Sequence, residues 1–266
     1  GSPALSVSGV SVTFGGLRAV DTVTAEARQG ELVGLIGTNG SGKSTLLNAI
    51  SGFVPCVGRI EVLGRDVSHL SAHARHRLGL GRGFHAAKLY SDLTVRETLM
   101  VALEARERTP LASALIGVPP SLRMERTKRS QADEIIDFLG LGRFSDRLIS
   151  ELSTGTRRVV ELGGLLAVDA QVLLLDEPTG GVAQRETEAF GPLIRRIQSE
   201  LDATVVLIEH DMPLVMSICD RVYCLEAGGV IAEGSPDEVR SHPRVIASYL
   251  GTDERAINRS DQPVTS

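Results

Sequence analysis

The 266-residue chain carries only three cysteines, Cys56, Cys219 and Cys224, an odd number with no Cys-x-x-Cys spacing among them. That pattern argues against a disulfide framework or a thiolate metal site, and it fits small, reduced core residues in the cytosol. No apolar run approaches the roughly 18 residues that a membrane span needs; the longest are of strand length, such as Val205 to Ile208. A basic excess is missing as well. Lys and Arg number 28 against 33 Asp and Glu, and the net charge of −5 argues against a nucleic-acid partner. There is no internal repeat and no low-complexity tract. What remains, 42% hydrophobic and 23% charged residues, is enough for one large core, with a single domain or a domain bearing a lobe as the expectation. The opening Gly1-Ser2, without an initiator Met, reads as the scar of a removed tag.

The chain is organised around Gly37-Thr38-Asn39-Gly40-Ser41-Gly42-Lys43-Ser44-Thr45, which closes an apolar run (Leu32, Val33, Leu35, Ile36) and opens a helical one (Leu46, Leu47, Ala49, Ile50). This is the P-loop pattern in the setting it requires, strand before and helix after. Glycines let the backbone fold tightly so that successive N–H groups face inward, and the helix adds the positive end of its dipole. The spacing therefore predicts a phosphate cradle. Lys43 is expected at the β- and γ-phosphates, and the Ser44 hydroxyl as a Mg²⁺ ligand.

Before this loop, short alternating runs from Leu5 to Thr24, broken by Gly15-Gly16, predict an antiparallel hairpin. After it come a returning strand from Arg59 to Leu63, a polar helix from Ser68 to Leu78 and a short strand from Leu80 to Phe84. Thr94, with Glu97 three residues on, caps a helix running to Arg106. From there to about Ser150 the pattern is helices and polar connectors, with a second helix from Arg129 to Leu139, and no strand signal. Ser153 caps a further helix, and Val172 to Leu175 is a buried-strand run ending at Asp176-Glu177-Pro178. A helix over 184–201 leads to a strand from Thr204 to Glu209, then His210-Asp211. Two short strands, a helix from Pro236 and a final helix ending near Leu250 follow. The fold expected is α/β: a mostly parallel, RecA-like P-loop NTPase sheet with an antiparallel β subdomain and an inserted α-helical lobe. The core is assigned to 4–92 and 154–250, the lobe to 93–153, and a polar, disordered tail to 251–266.

Three elements, Gly37 to Ser44, Asp176-Glu177 and His210, each begin where an apolar strand ends. Parallel strands bring their ligands to their carboxyl ends, so all three should meet at one nucleotide. Asp176 is the expected Mg²⁺-holding carboxylate, and Glu177 beside it the candidate general base for the attacking water.

With the run Leu152-Ser153-Thr154-Gly155-Thr156 about twenty residues ahead of Asp176, the chain resembles the ATP-binding cassette (ABC) ATPases. The P-loop, Val172 to Glu177, the turn Gly180 to Gln184 and Glu209-His210-Asp211 extend the likeness over nearly the whole chain. Within that family it is most similar to the ATP-binding subunits of branched-chain-amino-acid-type importers. The features that carry this are Val12-Thr13-Phe14-Gly15-Gly16-Leu17, the polar segment Arg108 to Arg129 and the ending Val245-Ile246-Ala247-Ser248-Tyr249-Leu250-Gly251. The resemblance implies two chains paired head to tail around two MgATP, with Ser153 and Gly155 of one facing the γ-phosphate held by the other. It implies Phe14 stacking on adenine, His210 contacting the γ-phosphate, and residues 38 to 45 (Thr38, Asn39, Gly40, Ser41, Gly42, Lys43, Ser44, Thr45) binding the nucleotide. Glu177, His210 and Lys43 form the catalytic set. Partners implied are a second ABC ATPase chain and transmembrane subunits or a fused transmembrane domain, at the cytoplasmic face of the membrane.

Two positions depart from the family pattern. His85 stands where a metal-linking glutamine follows Phe84, and is carried as a candidate metal contact whose charge varies near neutral pH; Thr156 replaces the usual signature glutamine. Rival readings are a non-transport ABC ATPase, which would show a long coiled-coil insertion or two linked cassettes, and a non-hydrolysing regulatory module, against which Glu177 and His210 speak. His69, His73 and His76 would stack on one helix face, where a polar surface explains them without a metal. The cluster Arg123, Arg126, Lys128, Arg129 reads as a solvated face, with a lipid or membrane-protein contact as the alternative.

Overall fold

A computed structural model describes residues 3–83, 91–106 and 122–249. In chain order the elements are β1 (Pro3–Phe14), β2 (Leu17–Arg28), β3 (Leu32–Gly37), α1 (Lys43–Ser51), β4 (Val57–Val62), β5 (Arg65–Asp66), α2 (Ala72–Arg77) and β6 (Leu80–Gly83). Then follow α3 (Val95–Arg106), α4 (Leu122–Phe138), α5 (Thr154–Val168), β7 (Val172–Asp176), α6 (Gln184–Leu201), β8 (Thr204–Ile208), α7 (Met212–Ile218), β9 (Arg221–Glu226), β10 (Gly229–Gly234) and α8 (Pro236–Ser241). A last helical stretch covers 243–249.

The strands form a six-stranded sheet in the order β10-β9-β3-β8-β7-β6 and a four-stranded sheet in the order β2-β1-β4-β5. In the larger sheet β9, β3, β8, β7 and β6 run parallel, and β10 returns antiparallel on β9. Every residue of β3 and β8 is buried, as expected of central parallel strands covered on both faces. Because side chains alternate across a strand, one sequence feeds two cores. Leu32, Ile36, Leu173, Leu175, Val205 and Leu207 face the helices α3 to α7, whereas Val33, Leu35, Leu174, Val206 and Ile208 face α1 and the smaller sheet. The hairpin expected around Gly15-Gly16 is present, with Phe14 paired to Leu17.

Helix α5 lies between layers, against α3 on one side and β6 on the other. Thr94 caps α3 as its sequence predicts: its Oγ1 accepts from the Glu97 N–H at 3.2 Å, and Glu97 Oε2 accepts from the Thr94 N–H at 2.8 Å. The Thr94 N–H and hydroxyl, both donating to Glu97 Oε2, hold the Glu97 carboxyl below its ordinary pKa.

Three element expectations need correction. Helix α2 spans only Ala72–Arg77, so His69 precedes it and the three histidines do not share one helical face. Ser71 stops the helix on that side by accepting from the Ala74 N–H at 3.3 Å. Helix α4 begins at Leu122, seven residues before the Arg129 start that the apolar stripe suggested. The strand placed at Arg59 to Leu63 is β4, Val57–Val62, and Leu63 turns with a φ of 51°. In the basic cluster, Arg126 and Arg129 are exposed, and Lys128 lies 3.8 Å from Glu104 of α3. The tail 251–266 lies outside the described residues.

Candidate nucleotide site at the carboxyl edge of the sheet

Adjacency of β3, β8 and β7 brings their carboxyl ends, and the three segments that follow them, to one edge. There residues 39–45 of the loop, with Ala19, Glu177 and His210, line a hollow of about 170 Å³. The loop folds as its glycines allow. Gly42 has a φ of 103°, and a Cβ on it would fall 2.5 Å from the Ala19 carbonyl oxygen. Gly42 also heads α1 with no side chain capping the helix, which leaves the first amides free toward the hollow. From below, the Gly228 N–H donates to the Ser41 carbonyl at 3.0 Å, and the Asp21 N–H donates to the Gly228 carbonyl at 2.8 Å. At the far end of α1, buried Arg75 donates from Nη1 to the Ala49 and Ile50 carbonyls, both at 2.7 Å.

Lys43 is buried, and its Nζ donates to the carbonyls of Gly37 at 2.7 Å and Thr38 at 3.0 Å. Burial lowers its pKa, against the opposing pull of nearby groups that include the Glu177 and Asp176 carboxylates. Ser44 and Asn39 are exposed at the hollow, while Thr38 is half-buried beneath it.

Glu177 and His210 meet directly. His210 Nε2 and Glu177 Oε1 are 2.6 Å apart, each side chain still partly open to solvent. Glu177 holds a left-handed backbone with a φ of 52°, rare for a residue with a side chain, and its N–H donates to the Ile208 carbonyl at 2.9 Å.

Asp176 sits behind this pair. Its Oδ2 accepts from Arg82 Nη2 at 2.9 Å, in an ion pair whose side chains are 7% (Arg82) and 11% (Asp176) exposed. Arg82 Nη1 also donates to Asn48 Oδ1 at 2.7 Å and Ser51 Oγ at 3.2 Å, whereas its buried Nε has no partner. Sequence reading missed Arg82, because a basic residue in the Gly-rich strand Leu80–Gly83 gives no sign of its burial.

Glu209 was also missed as a working residue. It is buried, its Oε1 accepting from the Thr179 N–H at 2.8 Å and Thr179 Oγ1 at 2.6 Å, and its Oε2 from the His210 N–H at 3.1 Å. An acid directly after four apolar strand residues, Val205 to Ile208, was the available signal.

Phe14 stands 49% exposed at the hairpin tip and is not part of the hollow's lining. Ser153 and Gly155 lie at the start of α5, also outside it; Ser153 Oγ accepts from the Thr156 N–H at 3.2 Å, so Thr156 completes a cap. His85 lies outside the described residues. Among the described residues no cluster of three or more His, Cys, Asp or Glu could hold a metal, His73 and His76 included.

Residues 20–180 match the family described as ABC transporter. Residues 230–255 match the family described as branched-chain amino acid ATP-binding cassette transporter. Over 250 residues the chain is 37% identical to the high-affinity branched-chain amino acid transport ATP-binding protein LivG of Salmonella typhimurium, covering 94% of this chain and 98% of the relative. It is 36% identical to the protein of the same description, BraF, of Pseudomonas aeruginosa, with the same coverage. Among solved structures, the ADP conformation of MJ1267, an ATP-binding cassette of an ABC transporter, is similar with a TM-score of 0.81 at 29% identity, covering 94% of this chain and 100% of that one.

Proposed function

The chain belongs to the ATP-binding cassette transporter family, as an ATP-binding and ATP-hydrolysing subunit, and from that premise we propose that it powers import of branched-chain amino acids or similar small solutes. The match of residues 230–255 and the names of its relatives support the substrate class. In this reading the core is 4–92 with 154–250 and the helical lobe 93–153. Two such chains close around two nucleotides and work on transmembrane subunits, or on a fused transmembrane domain, at the cytoplasmic face of the membrane. ATP favours the closed pair and hydrolysis reopens it, so the work is a difference in nucleotide affinity between two states.

The loop amides of residues 38–45 and Lys43 hold the polyphosphate, and Phe14 stacks on the adenine. Ser44 and Asp176 supply hard oxygen donors of the kind Mg²⁺ takes alongside waters and phosphate oxygens, with Asp176 Oδ2 shared with Arg82. When bound, Mg²⁺ neutralises phosphate charge. Glu177 takes a proton from the attacking water as the water oxygen bonds to the γ-phosphorus and the bond to the β-phosphate oxygen breaks. His210 orients Glu177 through the 2.6 Å contact and faces the γ-phosphate. Ser153 and Gly155 are contributed by the second chain, through the free amides of α5.

The observation that carries this reading is the Glu177–His210 pair at the rim of the loop hollow. Glu177→Gln should retain ATP while hydrolysis falls by about 100-fold or more, and Lys43→Ala should lose nucleotide binding. Hydrolysis by Glu177→Gln at the wild-type rate would remove Glu177 from the mechanism.

A further inference from the structure

The helical stretch 243–249 has no part in the mechanism above, although it touches the phosphate loop. Val245, 3% exposed, anchors it in the core that also holds Ile36 and Cys224. Four residues on, one turn along the helix, Tyr249 turns back to β3. The Gly37 N–H donates to the Tyr249 hydroxyl oxygen at 3.0 Å, a contact between residues 212 apart in sequence.

Gly37 is where strand becomes loop, and the two peptides that flank its Cα are held from several directions. Its carbonyl accepts from Lys43 Nζ at 2.7 Å. It pairs with Leu225 of β9, and at its φ of 147° the Leu225 carbonyl and Ser41 Oγ occupy the space a side chain would take. Tyr249 supplies the hold on the N–H side. That N–H lies in a buried residue, where losing an acceptor is costly. Burial above all pushes the Tyr249 hydroxyl up to about 12, so it stays a neutral phenol across the physiological range.

We propose that Tyr249 is a positioning residue for nucleotide binding: by accepting from the Gly37 N–H it fixes the Ile36–Gly37 peptide and, through the Gly37 backbone dihedrals, the following peptide whose carbonyl holds Lys43, so that the loop is shaped before ATP arrives. The inference rests on the reading of residues 37–45 as the ATP site. Tyr249 acts through Gly37 and touches no nucleotide. Without the hydroxyl the peptide relieves its unpaired N–H by rotating, and ATP must reverse that rotation in order to bind. Linkage makes the effect reciprocal: ATP that stabilises the set loop also holds 243–249 against local opening.

The test uses the full chain with MgATP, comparing wild type, Tyr249→Phe and Lys43→Ala. Tyr249→Phe keeps the ring and removes only the acceptor. Its dissociation constant and KM for ATP should rise about tenfold with kcat unchanged, and loss of packing alone would not produce that split. In wild type, ATP should slow amide hydrogen exchange across 243–249, and Tyr249→Phe should lose most of that protection. If Lys43→Ala loses ATP while Tyr249→Phe binds it as tightly as wild type, Tyr249 has no positioning role and the ATP-site reading stands. If Lys43→Ala binds ATP as wild type does, the ATP-site reading fails and takes this inference with it. Should Tyr249→Phe not fold, the wild-type exchange decides alone: no effect of ATP on 243–249 overturns the proposal.

Discussion

Arg82 and Asp176 show how much of the candidate site's support is hidden behind the side chains that line its hollow. Burying a carboxylate in a side chain 11% exposed is costly unless it is paired, and the Arg82 guanidinium at 2.9 Å pairs it. Removing one member of a buried pair strands the other. Arg82→Met should therefore cost about 3–5 kcal/mol of stability in urea denaturation. Arg82→Lys should recover only part of it, because one ammonium cannot reproduce the guanidinium fork that reaches Asp176, Asn48 and Ser51 together. A wild-type midpoint for Arg82→Met would mean that Asp176 is held by other means. The residues of the loop, Asp176, Glu177 and His210 were legible in the sequence because each follows an apolar run at a strand end. Arg82, Glu209 and Tyr249 were not legible as a support layer, because their roles depend on partners brought in from distant strands and helices.

Among the elements, α5 carries a sharp internal contrast between neighbouring glycines. A Cβ on Gly163 would fall 2.9 Å from both Leu139 Cδ1 and Leu99 Cδ2, whereas one on Gly164 would meet nothing within 4 Å. Alanine favours a helix over glycine by about 1 kcal/mol. At Gly164 that gain should appear nearly whole, as added stability of about 0.5–1 kcal/mol for Gly164→Ala. At Gly163 it should be outweighed, Gly163→Ala losing on the order of 1–3 kcal/mol from overpacking against α3 and the end of α4. Equal shifts for the two variants, read by chemical denaturation, would show that α5 is not clamped against α3. The two helix boundaries misread from sequence have one cause. Ahead of Ala132, α4 presents a mostly charged and polar run, Arg123 to Gln131, with no apolar stripe to count. Around α2 a polar run continued past the point where Ser71 ends the helix. Periodicity reports a helix only where one face is apolar.

On the scale of the whole molecule, the hollow is lined from a single chain without Ser153 or Gly155, although those residues head a helix suited to an anion. In the proposed pair a second chain supplies them. Light scattering should give a mass near 28.3 kDa without nucleotide and about twice that for Glu177→Gln with MgATP. No change in mass at high protein concentration would count against a nucleotide-driven pair. Within each chain, the Glu209 carboxylate spends both of its oxygens on different segments, one on Thr179 in the turn after β7 and the other on the His210 amide. The result is a yoke with little compliance. In the proposed pair, a neighbouring chain that pushed on that turn would carry the base of His210 with it, coupling contact at the molecular surface to the aim of the His210 imidazole.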